Sequence, residues 1–302
     1  MQPSPRRVWI DTDPAVGVPG ADVDDGYAIL QALRSPELDI VGISTTFGNA
    51  PLDVAHRLAA ELLVVAGATV PLHRGAASAS ERGAPSEASE ALAEALSAGP
   101  LTVLALGPLT NVATLLLTHP DLAGQIVEVV AVAGRRPGQR FTVGGRGPLA
   151  DFNFECDPEA ASALLDAAGV PVTLAGFEVA THAVFSPAHV ARLAAGPPPA
   201  RWLAERSGGW LDFWAEHLGT CGFHPFDTLA VGCLVVPELI GFEMLQAAVV
   251  PVAISELDYR GRPGVGVELQ AAPALPGGRP VRYASSARCG FVEDLVDRLL
   301  RP

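Results

Sequence analysis

Residues 8–27, VWIDTDPAVGVPGADVDDGY, gather four aspartates, Asp11, Asp13, Asp24 and Asp25, with Asp22 beside them, around one short apolar run. Carboxylates crowded into one turn repel one another, and each disfavours ionisation of its neighbours. A hard, oxygen-seeking cation is the economical partner for such a group, so this stretch is a candidate metal site. Val8, Trp9 and Ile10 read as the end of a buried strand, and Asp24 to Ser35 as a helix whose N-terminus favours negative charge. Pro14, Gly17, Pro19 and Gly20 let the loop between the two acidic clusters fold back so that both can face one ion.

The elements that must position this loop follow in alternation. Strands are expected at Leu38 to Thr46, Val70 to His73, Leu101 to Leu106, Ile126 to Ala133 and Val170 to Ala175, and helices at 54–66, Asp157 to Ala168 and Ala200 to Leu218. Leu245 to Val252, Leu257 to Tyr259, Val265 to Leu269 and Val281 to Tyr283 read as strands and hairpins, before a last helix, Cys289 to Leu300. This pattern predicts an α/β fold, an open and mostly parallel sheet with helices on both faces, over residues 1–302 as a single domain. Ligands of such sheets bind at the carboxyl ends of strands, where Phe47, Gly48 and Asn49 meet the aspartate loop. Gly75 to Ser89, small and polar around Pro85, reads either as a lid or as an inert loop. Trp210, Phe213, Trp214 and His217 share one helix face, a pattern that usually means core.

Composition narrows the functions. With 49% hydrophobic residues and mean hydropathy +0.31, the chain of 302 residues can bury a substantial core. A net charge of −13 argues against nucleic acid and anionic membrane as partners. All 20 basic residues are arginine, which excludes a P-loop lysine and Schiff-base chemistry. Cys156, Cys221, Cys233 and Cys289 stand singly, with neither zinc spacing nor a disulfide framework. MQPSPRR leads into the first strand without an apolar leader, and no run reaches membrane-spanning length, so a cytoplasmic protein is expected.

The aspartate-x-aspartate-proline run followed by an aspartate pair resembles the N-terminal signature of the nucleoside hydrolases, with a longer spacer. Four further segments match in order, Thr45 to Asn49, Ala105 to Asn111, Asp151 to Pro158 and Phe226 to Ala230. The resemblance covers nearly the whole chain and implies a nucleoside hydrolase-like fold with a Rossmann-like core. It implies calcium held by Asp13, Asp25, Asp227 and the Pro137 carbonyl, and ribose bound by Asp24, Asn49, Asp151, Asn153 and Asp227. Asp13 would activate a metal-bound water for hydrolysis of a ribonucleoside to ribose and base, with Asp24 fixing the 2′ hydroxyl. Asp151 stands where glutamate is usual and Gly145 where many members place asparagine, which touches recognition of the sugar's 5′ end. Phe226 replaces the common histidine that protonates the departing base, leaving stacking by Phe226, or a proton from His224 or His217. The helix that bears Trp210 and Trp214 would then cover the base, whereas Glu178 reads as support for the carboxylates or as a surface group and His182 as structural. The expected substrate is a small nucleoside of purine or pyrimidine salvage, and the expected assembly a homodimer or homotetramer.

Two rivals remain open on sequence. A haloacid dehalogenase-like phosphatase also places aspartate-x-aspartate after a first strand, but Ala15 and the lack of lysine fit it poorly. A calcium-dependent ribose- or nucleoside-binding protein without turnover, or a hydrolase of an unusual riboside, fits the departures at Gly145, Asp151 and Phe226.

Overall fold

Arg6–Thr12 forms β1, whose residues from Val8 onward are buried on both faces, as a central parallel strand requires. The computed structural model describes residues 4–254, 257–258 and 261–302. From β1 the chain alternates through α1 (Asp24–Leu33), β2 (Leu38–Thr45), α2 (Leu52–Ala66), β3 (Leu72–Arg74), α3 (Glu87–Ser97), β4 (Leu101–Ala105), α4 (Thr110–Thr118) and β5 (Ile126–Ala131). It continues with α5 (Phe152–Cys156), α6 (Pro158–Asp166), β6 (Val172–Ala175), α7 (Phe177–Ala180), α8 (Pro187–Ala194), α9 (Pro198–Phe213) and α10 (Phe226–Val235). Three strands, β7 (Ile240–Pro251), β8 (Val267–Ala272) and β9 (Arg279–Ala287), precede α11 (Phe291–Leu299).

These strands make one nine-stranded sheet in the order β3-β2-β1-β4-β5-β6-β9-β7-β8. Pairing is parallel from β3 to β9, and β7 runs antiparallel to both of its neighbours. The expected α/β sheet with helices on both faces is therefore present. One hydrophobic cluster, containing Tyr27, Phe177, Trp210, Trp214 and Phe291, covers one face; another, containing Trp9, Leu92, Val112, Phe154 and Leu164, covers the other. Among the described residues no helix is long and apolar enough to cross a membrane.

Three segments differ from expectation. Residues 75–89 are pinned rather than loose: Ser86 and Ser89 form a reciprocal capping box that starts α3, and Arg82 pairs with Asp157 and Glu159. The expected helix over 200–218 changes register at Trp214, where Trp214–Leu218 forms a π-helical turn, a device often found beside functional sites. β7 begins at Ile240, five residues early, because it pairs along nearly its whole length with β9. Tyr259, the end of an expected strand, lies outside the described residues.

The first strand is locked laterally by its tryptophan. Trp9 lies beside Gly42 in the β1–β2 register, and a Cβ on Gly42 would sit 2.2 Å from the indole ring. The Trp9 Nε1–H donates to Ser44 Oγ at 2.8 Å, and Ser44 Oγ–H donates to Asp11 at 2.5 Å. Gly42→Val should therefore lower stability by about 1–3 kcal/mol through overpacking, read as a lower urea midpoint. An unchanged midpoint would mean that the indole is not confined by this glycine.

Candidate active site

At the carboxyl end of the sheet, Asp13 leaves β1, Asp24 and Asp25 open α1, and Asp227 occupies the first turn of α10. All four are buried. Asp24, Asp25 and Asp227 each offer an oxygen within 4.8 Å of the others. Their other contacts fix the carboxylates in place: Asp25 accepts from the Thr12 hydroxyl and the Asp13 N–H, and Asp24 accepts from the Asp227 N–H at 3.1 Å. Asp13 Oδ2 accepts from the Asn49 N–H at 2.6 Å, whereas Asp13 Oδ1 is buried without a partner. Glycine is required on both sides of it, because a Cβ would come within 2.0 Å of Oδ2 at Gly48 and 2.7 Å of Oδ1 at Gly107. Asp11 lies behind, held by Ser44 and by the Asn111 amide at 2.7 Å.

The electrostatics of this group are one-sided. Burial first, then the neighbouring carboxylates, holds Asp13 and Asp227 well above the usual range; Asp24 is raised in the same way by burial and Asp22. Burial and Asp24 push Asp25 to about 7, and burial pushes Asp11 and Asp22 to about 6. An all-oxygen donor set, an orphaned carboxylate oxygen and this mutual repulsion together fit a hard divalent cation.

Above the carboxylates opens a cavity of about 560 Å³. Its polar lining includes Asp22, Asp24, Asn49, Asp151, Asn153, Asp227 and Arg262, and its apolar wall includes Phe141, Phe177, Trp210, Phe213, Trp214 and Phe226. Phe141 stacks on Phe177 at 3.9 Å between centroids, and Phe177 leans on Phe226 at 5.7 Å. The aromatic helix face expected to be core thus does both jobs: Trp210 and Trp214 are nearly buried yet border the cavity.

Most residues singled out in the sequence converge here, and several do not. The Asn49 amide reaches Asp25 at 3.4 Å, and Asn153 donates to the Leu106 carbonyl at 2.5 Å and to that of Val132 at 3.2 Å. Asp151 accepts from the Gly134 N–H at 2.8 Å and is raised to about 6, chiefly by burial. Pro137, expected to bring a carbonyl to the metal, lies exposed in a turn and does not line the cavity. The carbonyl just after β4, Leu106's, accepts from the cavity-lining Asn153 and immediately precedes the glycine that abuts Asp13. A turn closed by the Gln139 N–H on the Arg136 carbonyl carries Pro137 at its exposed tip.

His224 is likewise turned away. It is buried, with Nδ1 2.7 Å from the Ala183 carbonyl, its ring edge-on to Trp214 and Phe226, and it does not line the cavity. His217 is exposed and stacks on Phe213, Glu178 pairs with Arg136, and no residue of 75–89 borders the cavity. Sequence reasoning missed Leu106, Phe141, Phe177, Cys156 and Arg262. The strand-end rule could have found Leu106, whereas Arg262 comes from a connection with no motif of its own.

The family profile of inosine-uridine preferring nucleoside hydrolase matches residues 8–270. The non-specific ribonucleoside hydrolase RihC of Salmonella agona is 30% identical over 305 residues, covering 89% of this chain and 93% of that protein. A plant nucleoside hydrolase superposes with TM-score 0.82 at 23% identity, covering 99% of this chain and all of the other. A purine-preferring ribonucleoside hydrolase from Gardnerella vaginalis does so with TM-score 0.74 at 22% identity, over 97% and 98%.

The carboxylate group predicts how stability depends on pH and on cations. Folded-state pKa values of about 6 to 7 for Asp11, Asp22 and Asp25 lie above the ordinary aspartate value of about 4, so the cation-free folded state binds more protons than the unfolded one. Its stability should fall as pH rises from about 4 to about 7. At pH 7.5 a divalent cation at a hundred times its Kd should restore about 2.7 kcal/mol. Thermal unfolding in chelator and in cation measures both effects, and a midpoint indifferent to pH and to every divalent cation would count against the site.

Proposed function

The chain belongs to the inosine-uridine preferring nucleoside hydrolase family and is an N-glycosyl hydrolase, and from that premise we propose that it cleaves a ribonucleoside to ribose and free base with the help of calcium. The observation that carries the reading is the set of buried carboxylates, Asp13, Asp24, Asp25 and Asp227, beneath an aromatic-walled cavity. These residues would hold the cation, with the Leu106 carbonyl, rather than that of Pro137, as the adjoining main-chain oxygen. When bound, the cation supplies a lowered water pKa and a fixed seat for vicinal hydroxyls.

The side chains do the rest. Asp13 is clamped through Oδ2 by the Asn49 N–H, so its orphaned Oδ1 is the oxygen placed to take a proton from the attacking water. Asp24 and Asp227 line the cavity and accept from the sugar's hydroxyls, and Asn49, Asp151 and Asn153 complete that polar surface. Departure of the base leaves positive charge on the sugar ring, which the carboxylates stabilise. Phe226, Trp210 and Trp214 enclose the base and exclude water from it.

Release of reducing sugar from a panel of purine and pyrimidine ribonucleosides tests the reading. Release should vanish with a chelator, and Asp13→Asn should lower kcat by about 10²–10⁴-fold, the usual contribution of a general base. Calcium-loaded protein that binds nucleosides and frees no base would instead identify a binding protein.

A further inference from the structure

Among the described residues, every charged or amide side chain lining the cavity except one comes from a loop or helix start that follows a parallel strand of the sheet. The exception, Arg262, comes from residues 252–266, the connection between β7 and β8, and among the described residues it is the cation of an otherwise acidic lining. Asp258 holds it in place: its carboxylate accepts from the Arg262 N–H at 2.8 Å and from Nε at 2.8 Å, and Nη2 lies 2.8 Å from the same oxygen as Nε. That grip uses one side of the guanidinium and leaves Nη1 on the other. The side chain is half exposed, and its charge acts on Glu155 and Cys156 of α5.

The two sides of the cavity rise from opposite faces of the sheet. Trp210, Trp214 and Phe226 belong to one hydrophobic cluster, whereas α5 packs through Phe154 into the other and lies against α6 and β8. A riboside carries its base on C1′ and its CH₂OH on C4′, at opposite ends of the ring. With the diol over the carboxylates and the base against the aromatic wall, the 5′ oxygen is directed to the side of α5 and Arg262. Resting on the hydrolase reading above, we propose that Arg262 determines specificity at the sugar's far end, donating from Nη1 to the 5′ hydroxyl. Asp258 offsets its charge, and Asp22, Asp24, Asp151 and Asp227 share the cavity, so the group recognised is a neutral hydroxyl rather than a phosphate.

The test compares kcat/KM for a ribonucleoside and its 5′-deoxy counterpart in calcium-loaded parent enzyme, Arg262→Ala and Arg262→Lys. A charged donor to a neutral acceptor predicts that the parent favours the hydroxyl by about tenfold to a hundredfold. Arg262→Ala should shrink that preference to within about threefold by slowing only the hydroxyl substrate, and Arg262→Lys should keep part of it, since charge survives and the fork does not. A preference unchanged in Arg262→Ala overturns the proposal, as does a parent enzyme that processes a nucleoside 5′-monophosphate better than the nucleoside. If the parent frees base from no nucleoside, the hydrolase reading falls and takes this one with it, an outcome visible before any variant is compared.

Discussion

Repulsion among buried carboxylates is the constraint to which the rest of this structure answers. Asp13, Asp24, Asp25 and Asp227 come from three separate places in the chain and are brought into one buried group with no basic side chain between them among the described residues. Leaving charges so placed unpaired is costly, and the protein spends hydrogen bonds to hold them: Thr12, the Asn49 and Asp227 N–H groups and the Asn49 amide all point at them. The backing layer repeats the pattern, with Trp9 fixing Ser44, and Ser44 and Asn111 fixing Asp11. Such one-sided donation orients oxygens toward a common point, as a cation site needs.

The sheet makes this arrangement rigid. β1 is central, with β2 and β4 on either side, so the loops after all three strands open at the same edge. Gly48 and Gly107, one from each flanking loop, bring backbone against both sides of the Asp13 carboxylate. Helices on one face then contribute the aromatic wall and α5 on the other contributes Asp151, Asn153 and Cys156. The cavity is therefore asymmetric by construction, with a flat apolar side and a hydrogen-bonding side.

What could be read from the sequence follows how local each signal is. The aspartate loop, the strand before it and the helix after it occupy one continuous stretch, and Asp227 sits at a helix start with its own flanking motif, so their convergence was legible. Pro137 shows the opposite case: a position chosen within a long irregular loop, where nothing local says which carbonyl turns inward. The stretch 75–89 looked loose because its composition is polar, but Arg82 reaches 75 residues ahead to Asp157, a tertiary contact that no local pattern encodes. Arg262 was invisible for the same reason, being set against α5 by a strand connection more than a hundred residues later in the chain.

His224 illustrates why a residue type near a motif is weaker evidence than its hydrogen bonds. A carbonyl only accepts, so the nitrogen facing Ala183 carries the ring hydrogen, and Nε2 keeps the lone pair. Burial lowers the pKa of the ring, so near neutral pH it is an uncharged imidazole committed to a structural bond. It is not an acid poised to give up a proton, and the rings of Trp214 and Phe226 shield it. Under the proposed reaction the departing base instead meets the aromatic wall of Phe226, Trp210 and Trp214, with Phe177 and Phe141 packed behind Phe226. Their faces hold the base by contact area, and the burden of lowering the barrier shifts to the carboxylates beneath the sugar.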